Sequence, residues 1–269
     1  MNLGFIGAGK LAHALAKGFI AAGLTKGNLL TVSCAPEDTL SAETFKQLGA
    51  TINYDNKEII KKSEVTIIAV KPDVIPQVLT DIKDVVTKKN LLLSVAMGVT
   101  IKQLEQGLPG NSRVIRVMPN TPALVREGAT VYVSGTHATE QDCDLTKQLF
   151  GSVGICERVN EYILDPVTAL SGSGPAFIYT VIEALSDGAV RMGMARDLAY
   201  KLAAQTVVGA GKMVLNTQTH PGVLKDNVTS PAGSTCEGLH HLEENGVRSA
   251  FIKAIEGATK KCRETAKKQ

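Results

Sequence analysis

The stretch that decides the fold is Leu3-Gly4-Phe5-Ile6-Gly7-Ala8-Gly9-Lys10-Leu11-Ala12, at the start of the chain. A short apolar run typical of a buried strand leads into Gly-x-Gly-x-x-Ala, and a helical pattern then continues to Ala22 and ends at Gly23. Gly7 permits the tight strand-to-helix turn, and Gly9 lets the backbone approach a pyrophosphate held at the helix N-terminus. This glycine pattern, placed between a strand and a helix, predicts a dinucleotide-binding site.

Strand-like and helix-like segments alternate over about the first 160 residues of the 269-residue chain. Apolar strand patterns occupy residues 3–6, 29–33, 65–70, 91–96, 113–117 and 130–134. Near-continuous apolar strands separated by helices are typical of a parallel sheet covered on both faces. The fold class predicted is therefore α/β, with a Rossmann-type doubly wound parallel sheet in residues 1–162.

After Asp165-Pro166 the strand-like runs stop, and Ala-rich segments with helical spacing take over. These helices are apolar over a broader surface than one small bundle can bury. We therefore predict that residues 163–269 form an all-α dimerisation domain, which buries this surface against a second subunit.

The composition excludes several classes of partner. The chain has 29 Lys+Arg against 26 Asp+Glu, a balance too even for nucleic-acid binding. Its five cysteines are widely spaced and form no Cys/His metal pattern, which indicates reduced thiols and no metal site. No run reaches the ~18 apolar residues that span a bilayer. We expect a cytoplasmic protein without a nucleic-acid or membrane partner; a mitochondrial location stays open, since a removed transit peptide would leave no trace.

The turn after the second predicted strand bears on the choice of nicotinamide cofactor. NAD-selective sites usually place Asp or Glu there, and NADP sites tend to carry Arg nearby. This chain has Ser33-Cys34-Ala35-Pro36-Glu37 and satisfies neither rule, because Glu37 lies past Pro36 and is expected to face solvent. Without a carboxylate to repel a 2′-phosphate, and with a hydroxyl to bond it, the sequence slightly favours NADPH over NADH.

Further strand ends are expected to line the cofactor crevice, because ligands bind outside the carboxyl ends of parallel strands. They are Ala69-Val70-Lys71-Pro72 and Ser94-Val95-Ala96-Met97-Gly98. Lys71 has two interpretations, a contact with cofactor or substrate and an ordinary charge at a strand end. Residues 118–122, Met-Pro-Asn-Thr-Pro, are expected to form a rigid turn at the end of the next strand. In this turn, Asn120 and Thr121 are candidates for orienting the nicotinamide amide.

A second group of small polar residues lies in the helical half. Residues 226–235, Asp-Asn-Val-Thr-Ser-Pro-Ala-Gly-Ser-Thr, precede a helical pattern. Hydroxyls and a glycine before a helix leave backbone N–H groups free to bind a carboxylate. The alternative is plain N-capping by Ser234 or Thr235. Residues 171–176 are a similar helix entry, with either a functional or a close-packing role.

These segments together resemble the pyrroline-5-carboxylate reductase family. The resemblance rests on residues 4–9, 69–72, 170–176 and 226–235, which occur in the family's order across essentially the whole chain. The last segment is the most specific of the four. The resemblance implies NAD(P)H-dependent reduction of 1-pyrroline-5-carboxylate to L-proline, the last step of proline biosynthesis. It also implies homo-oligomers, with helical dimers that commonly assemble into decamers.

The resemblance also implies roles for individual residues. It places the cofactor on Ile6, Gly7, Ala8, Gly9, Lys10, Leu11, Ser33, Cys34, Ala35, Asn56, Ala69, Val70, Lys71, Pro72, Val95, Ala96 and Met97. It places the substrate on Ser230, Gly233, Ser234 and Thr235, with Thr235 Oγ bonding the ring nitrogen as the catalytic contact. One departure is Ala232, where many members carry a second glycine; since alanine is small, we expect the loop shape to be kept.

Two other functions stay open from the sequence. A 3-hydroxyacid-type dehydrogenase shares the layout but needs an acid–base group, usually a lysine of the helical domain. Lys201, Lys212 and Lys225 are present, but none lies in the glycine-containing loop. A non-catalytic nicotinamide-binding regulator is the second alternative. The five histidines, His13, His137, His220, His240 and His241, are expected to pack or face solvent rather than to serve as a general acid.

Overall fold

The computed structural model describes residues 1–266 of the chain. Its strands are β1 (Leu3–Ile6), β2 (Leu30–Ser33), β3 (Thr51–Asn53), β4 (Val65–Ile68), β5 (Leu91–Ser94), β6 (Arg113–Met118), β7 (Gly128–Ser134) and β8 (Gly154–Arg158). Its helices are α1 (Lys10–Ala21), α2 (Thr39–Gln47), α3 (Asn56–Lys62), α4 (Ile75–Ile82), α5 (Ile101–Gln106), α6 (Glu140–Gly151), α7 (Leu164–Val167), α8 (Gly174–Arg191), α9 (Arg196–Thr217), α10 (Pro221–Asn227), α11 (Ser234–Glu244) and α12 (Val247–Ala266). A π-helical turn, Thr168–Gly172, continues α7.

The strands form one sheet in the order β3-β2-β1-β4-β5-β6-β7-β8. Neighbouring strands are parallel except for β6 and β7, which are antiparallel. A parallel crossover needs a dozen or more residues, and residues 119–127 between these two strands are too few for one. The predicted Rossmann-type sheet is confirmed, with an edge of reversed direction added to it.

Most of the buried apolar side chains form two clusters, and several strands of the sheet contribute different residues to each of them. Along β1, Phe5 belongs to one cluster and Ile6 to the other, because successive side chains of a strand point to opposite faces. The first cluster contains aromatic pairs, among them Phe19 and Phe150, whose ring centroids lie 5.7 Å apart in a T-shaped arrangement. Covering of both faces explains why β1, β4 and β5 are buried at every position.

Contacts divide the chain into two compact units. The first contains residues 1–172 together with the chain from Ala258 onward, and the second contains Ser173–Gly257. The domain boundary predicted from the sequence, between residues 162 and 163, stays a prediction. The last three residues of the predicted second domain, 267–269, lie outside the described residues.

The second unit is entirely helical, as predicted for this half of the chain. Helices α8 and α9 pack against each other, yet few of their side chains are buried. Their exposed large apolar side chains are Ile178, Tyr179, Leu185, Leu198, Tyr200, Leu202, Val208, Met213 and Leu215. Within residues 1–266, no helix combines the length and the apolar character needed to cross a bilayer.

Candidate active site

A cleft of about 420 Å³ opens at the carboxyl ends of β1, β2 and β4. It brings together eleven of the predicted cofactor residues: Ile6, Gly7, Ala8, Gly9, Ser33, Cys34, Ala35, Asn56, Ala69, Val70 and Lys71. These residues come from four separate segments, and the parallel register of the sheet places the strand ends side by side. The cleft therefore lies where a doubly wound sheet binds its ligand.

The glycine turn leaves room for an anionic group beside α1. Gly7 has φ +100°, and a Cβ there would lie 2.6 Å from the carbonyl oxygen of Ala69. A Cβ on Gly9, in contrast, would meet no protein atom within 4 Å. Gly9 is the N-cap of α1, no side chain caps this end, and the first turn carries no acidic residue. The residues present therefore fit the pyrophosphate of a dinucleotide.

Six predicted cofactor residues do not line this cleft: Lys10, Leu11, Pro72, Val95, Ala96 and Met97. Lys10 and Leu11 begin α1, and Pro72 begins a short 3-10 helix after β4. Val95 and Ala96 are buried, while Met97 is 43% exposed. The Val95 N–H donates to the carbonyl of Ile68 over 3.0 Å, so this segment continues the same edge of the sheet as β4.

The cleft also contains residues that sequence reasoning missed: Pro36, Asp38, Tyr54, Val74 and Val78. Tyr54 follows β3, a three-residue strand too short to give an alternating pattern. The sequence did contain a signal that places Asp38 at the start of a helix, since an Asp before a helical pattern is typical of an N-cap. Its carboxylate indeed caps α2 by accepting from the Ser41 N–H over 3.2 Å.

Polar groups at the end of β2 are linked to each other. Ser33 is buried, and its hydroxyl donates to Asn56 Oδ1 over 2.7 Å. Beside it, burial and then the Asp38 and Glu37 carboxylates raise the pKa of the Cys34 thiol. The raised pKa disfavours the thiolate form of Cys34, which lines the cleft.

In the turn after β6, the side chain of Asn120 binds two backbone groups from other segments of the chain. Asn120 Nδ2 donates to the carbonyl of Ser171 over 3.0 Å, and its Oδ1 accepts from the Ala129 N–H over 2.9 Å. Because both ends of this amide bind backbone, its orientation is fixed within the first unit. The contact of Asn120 and Thr121 with a nicotinamide stays a prediction. A Cβ on Gly172 would lie 2.9 Å from Met118 Cε, the tip of a flexible side chain, and a Cβ on Gly174 would have open space, so both interpretations of residues 171–176 stay open.

The predicted substrate loop lies in the second unit, between α10 and α11. Ser230 to Gly233 form a turn closed by the Gly233 N–H, which donates to the Ser230 carbonyl over 3.1 Å. Pro231 in the second position and a positive φ of +56° at Ala232 are typical of a type II turn. A side chain at Gly233 would force the Ser230 hydroxyl to move, because a Cβ there would collide with Ser230 Oγ and lie 3.2 Å from the Ser230 carbonyl oxygen.

Helix α11 begins without a side-chain cap. Its N-cap is Gly233, so Ser234 and Thr235 occupy its first two positions, and the N-capping alternative for these two residues is wrong. Within residues 1–266, their hydroxyls have no hydrogen-bond partner. The loop thus presents two hydroxyls and uncapped N–H groups, which are the groups that bind a carboxylate.

Two of the histidines outside this loop contact other side chains. His13 packs edge-on against the Phe45 ring, with centroids 5.6 Å apart, and burial followed by the Lys17 charge lowers its pKa. His241 lies on α11 near Glu237 and Glu244 in an exposed cluster. Among the described residues, no group of three or more His, Cys, Asp or Glu side chains is arranged to hold a metal ion.

Known proteins similar to this chain match nearly its full length. Residues 161–265 match the family model for pyrroline-5-carboxylate reductase dimerisation, and residues 2–98 match that for NADP oxidoreductase, coenzyme F420-dependent. Pyrroline-5-carboxylate reductase 2 of Bos taurus is 46% identical over 267 residues, which cover 98% of this chain and 83% of that protein. The pyrroline-5-carboxylate reductase of Methanosarcina acetivorans is also 46% identical, over 99% of this chain and 98% of its own.

A solved structure agrees with these relatives. The crystal structure of Plasmodium falciparum pyrroline carboxylate reductase with NADP bound has 33% sequence identity and a TM-score of 0.89, covering 99% of this chain and 98% of its own. Identity at this level over nearly the full length, joined to the glycine turn and the loop before α11, shows that the chain belongs to the pyrroline-5-carboxylate reductase family.

Proposed function

We propose that this chain is an oxidoreductase that reduces 1-pyrroline-5-carboxylate to L-proline, the last step of proline biosynthesis, with a reduced nicotinamide cofactor. The observation that carries this proposal is the loop from Ser230 to Thr235, whose hydroxyls and uncapped N–H groups suit a small carboxylate substrate. The relatives named as pyrroline-5-carboxylate reductases, from an archaeon to a mammal, support the same reaction.

The cofactor is proposed to bind in the cleft beside Gly7 and Gly9, on the eleven predicted residues that line it. The other six predicted residues are proposed to contact it from beyond the cleft. NADP in the Plasmodium falciparum relative supports a nicotinamide dinucleotide. A slight preference for NADPH over NADH stays our prediction from the sequence of the turn after β2, which has no carboxylate before Pro36. The hydrogen bond that Ser33 donates to Asn56 works against this preference. When bound, the reduced nicotinamide supplies the hydride that adds to C5 of the imino acid.

The residues of the loop hold and orient the substrate. The N–H groups of the first turn of α11 and the Ser234 hydroxyl bind the carboxylate. Thr235 Oγ accepts a hydrogen bond from the protonated ring nitrogen. A protonated iminium takes up hydride far more readily than a neutral imine, so Thr235 needs only to hold this cation in place. No strong general acid is required.

We also propose that residues 1–162 form the cofactor domain and residues 163–269 the dimerisation and substrate domain. The family model for dimerisation, matched by residues 161–265, and the exposed apolar side chains of α8 and α9 support this division. Further proposals are that dimers assemble into decamers and that the protein works in the cytoplasm, with mitochondria as the alternative. Sedimentation velocity distinguishes a dimer from a decamer.

One assay separates the proposed reaction from its alternatives. Oxidation of NADPH and of NADH is followed with 1-pyrroline-5-carboxylate, with a 3-oxoacid and with no substrate. We expect NADPH or NADH to be oxidised with the imino acid and not with the 3-oxoacid or without substrate. Oxidation with the 3-oxoacid would instead indicate a 3-hydroxyacid-type dehydrogenase, and dinucleotide binding without any oxidation would indicate a regulator.

A further inference from the structure

Hydrogen bonds connect the cofactor cleft to a carboxylate that does not line it. Ser33 Oγ donates to Asn56 Oδ1 over 2.7 Å, and Asn56 Nδ2 donates to Asp81 Oδ2 over 3.4 Å. The second carboxylate oxygen of Asp81 accepts from Gln77 Nε2 over 2.7 Å. Ser33 and Asn56 line the cleft, whereas Asp81 and Gln77 lie on α4.

The carboxylate of Asp81 sets the direction of these hydrogen bonds. An ionised carboxylate only accepts, so the amide nitrogen of Asn56 faces Asp81 and the amide oxygen faces Ser33. Ser33 has a single hydroxyl hydrogen, and Asn56 Oδ1 accepts it. Ser33 Oγ therefore offers only lone pairs to a ligand in the cleft.

Lone pairs at Ser33 suit one form of the cofactor better than the other. In Rossmann folds the end of the second strand holds the adenosine ribose. A ribose 2′-hydroxyl donates a hydrogen bond to such an acceptor, whereas the oxygens of a 2′-phosphate accept and carry negative charge. The neighbouring Asp38 and Glu37 add negative charge of their own, which Lys46 offsets in part.

We propose that Asp81 is a positioning residue for cofactor selection, which holds Ser33 as an acceptor through Asn56 and so disfavours NADPH relative to NADH. This inference rests on the proposed function only in that the cleft binds a nicotinamide dinucleotide. Asparagine at position 81 can donate as well as accept, so Asp81→Asn allows the Asn56 amide to turn over. The Ser33 hydroxyl hydrogen then becomes available to a phosphate, whichever cofactor the wild-type protein prefers.

Calorimetric titration of NADP⁺ and NAD⁺ against the full chain tests this role without any reaction. The Asp81→Asn variant should raise the ratio of NADP⁺ affinity to NAD⁺ affinity about tenfold, the scale of one redirected hydrogen bond to a charged group. Asp84→Asn is the matched control, because this exposed residue lies just past α4 and carries the same charge. Its ratio should stay at the wild-type value.

A second pair of variants shows whether the effect passes through Ser33. In a Ser33→Ala background, Asp81→Asn should no longer change the ratio. Gln77→Met, which removes only the amide that orients the carboxylate, should raise it by a smaller factor, and this variant carries the test if Asp81→Asn does not fold.

Three results would overturn the role of Asp81: a ratio within twofold of wild type in a folded Asp81→Asn protein, an equal rise in Asp84→Asn, or an equal rise without the Ser33 hydroxyl. Tight binding of both dinucleotides with no reduction of the imino acid would overturn the proposed function and leave this role intact. Binding of neither dinucleotide to the wild-type protein would overturn both.

Discussion

The two compact units differ in how far each buries its own apolar side chains. In the first unit, β1, β4 and β5 are buried at every position. In the second, α8 buries only Ser186 of its 18 residues, and α9 buries only Ala199 and Ala203 of its 22. The first unit thus completes its core from its own residues, and the second does not.

This difference shows what the helical unit requires. Nine large apolar side chains are exposed along α8 and α9, and apolar side chains exposed together in this way mark interaction surfaces. A second copy of the same helices is the partner that the dimerisation family model implies. The first unit presents a glycine turn with open space beside α1, while the second presents hydroxyl side chains before an uncapped helix and exposed apolar side chains.

Charges on exposed leucines test the difference most strongly. Leu198 and Leu202 lie one turn apart on α9 and are 49% and 47% exposed. Replacing both with Glu should weaken dimerisation by about 10⁴-fold, at about 1.5 kcal/mol for each of the four leucines in a dimer. Sedimentation velocity measures the loss. Leu40→Glu, at a position on α2 that is 79% exposed, is the control and should leave the dimer intact. A dimer of unchanged stability in the double variant would show that this face of α9 is not an interface.

Gly9→Val tests the backbone cradle of the first unit. The new side chain meets no protein atom near its Cβ, so the fold should survive while dinucleotide affinity falls on the order of 100-fold or more. Gly7→Ala should instead destabilise the protein by about 2–4 kcal/mol, because its φ is +100° and its Cβ would collide with the Ala69 carbonyl. Fluorescence titration measures the dinucleotide affinity of the Gly9→Val protein, and urea unfolding measures the stability of the Gly7→Ala protein. Normal dinucleotide affinity in folded Gly9→Val protein would place the pyrophosphate elsewhere.

Thr235→Ala tests side-chain chemistry in the second unit. We expect kcat for the imino acid to fall about 10- to 100-fold, the scale of a positioned group in a proton-dependent step. Thr235→Ser keeps the hydroxyl and should recover most of the rate, and dinucleotide affinity should stay unchanged in both variants. Steady-state kinetics with both substrates varied provide the measurement. Equal rates for the alanine and wild-type proteins would remove Thr235 from the reaction.

How well the sequence predicted each region follows from how local its signals are. The strand before Gly7, the turn itself and α1 are encoded within about 20 consecutive residues, and they were predicted correctly. The edge strands β3 and β8 were missed because one is three residues long and the other is largely exposed, so neither gives an apolar run. The reversed direction of β7 depends on a short connection, which residue patterns alone do not reveal.

The candidate site shows the same limit. Asn56 was reached only through the family resemblance, since its position in the cleft depends on how α3 packs. Tyr54 and Asp81 gave no local signal of a role. The substrate loop, in contrast, is contiguous in sequence, and its small and hydroxyl residues were visible directly. Its backbone strain at Ala232 was not, because φ is a property of the folded turn.

Ala232→Gly has the smallest expected effect. It compares the turn of the substrate loop with a second positive-φ position of the same unit. A non-glycine residue at φ +56° costs about 1–2 kcal/mol, and the greater freedom of glycine in the unfolded chain offsets about 0.4–1 kcal/mol of that. Ala232→Gly should therefore raise the free energy of unfolding by about 0.5–1 kcal/mol, measured by urea titration. Gln218→Gly, at the C-cap of α9 with φ +53°, is the matched control outside the loop and should give a similar gain. Because the alanine already holds the loop in the shape that glycine favours, KM for the imino acid should stay within about threefold of wild type in both variants. A larger change in Ala232→Gly alone would mean that the alanine side chain itself, and not the turn, affects substrate binding.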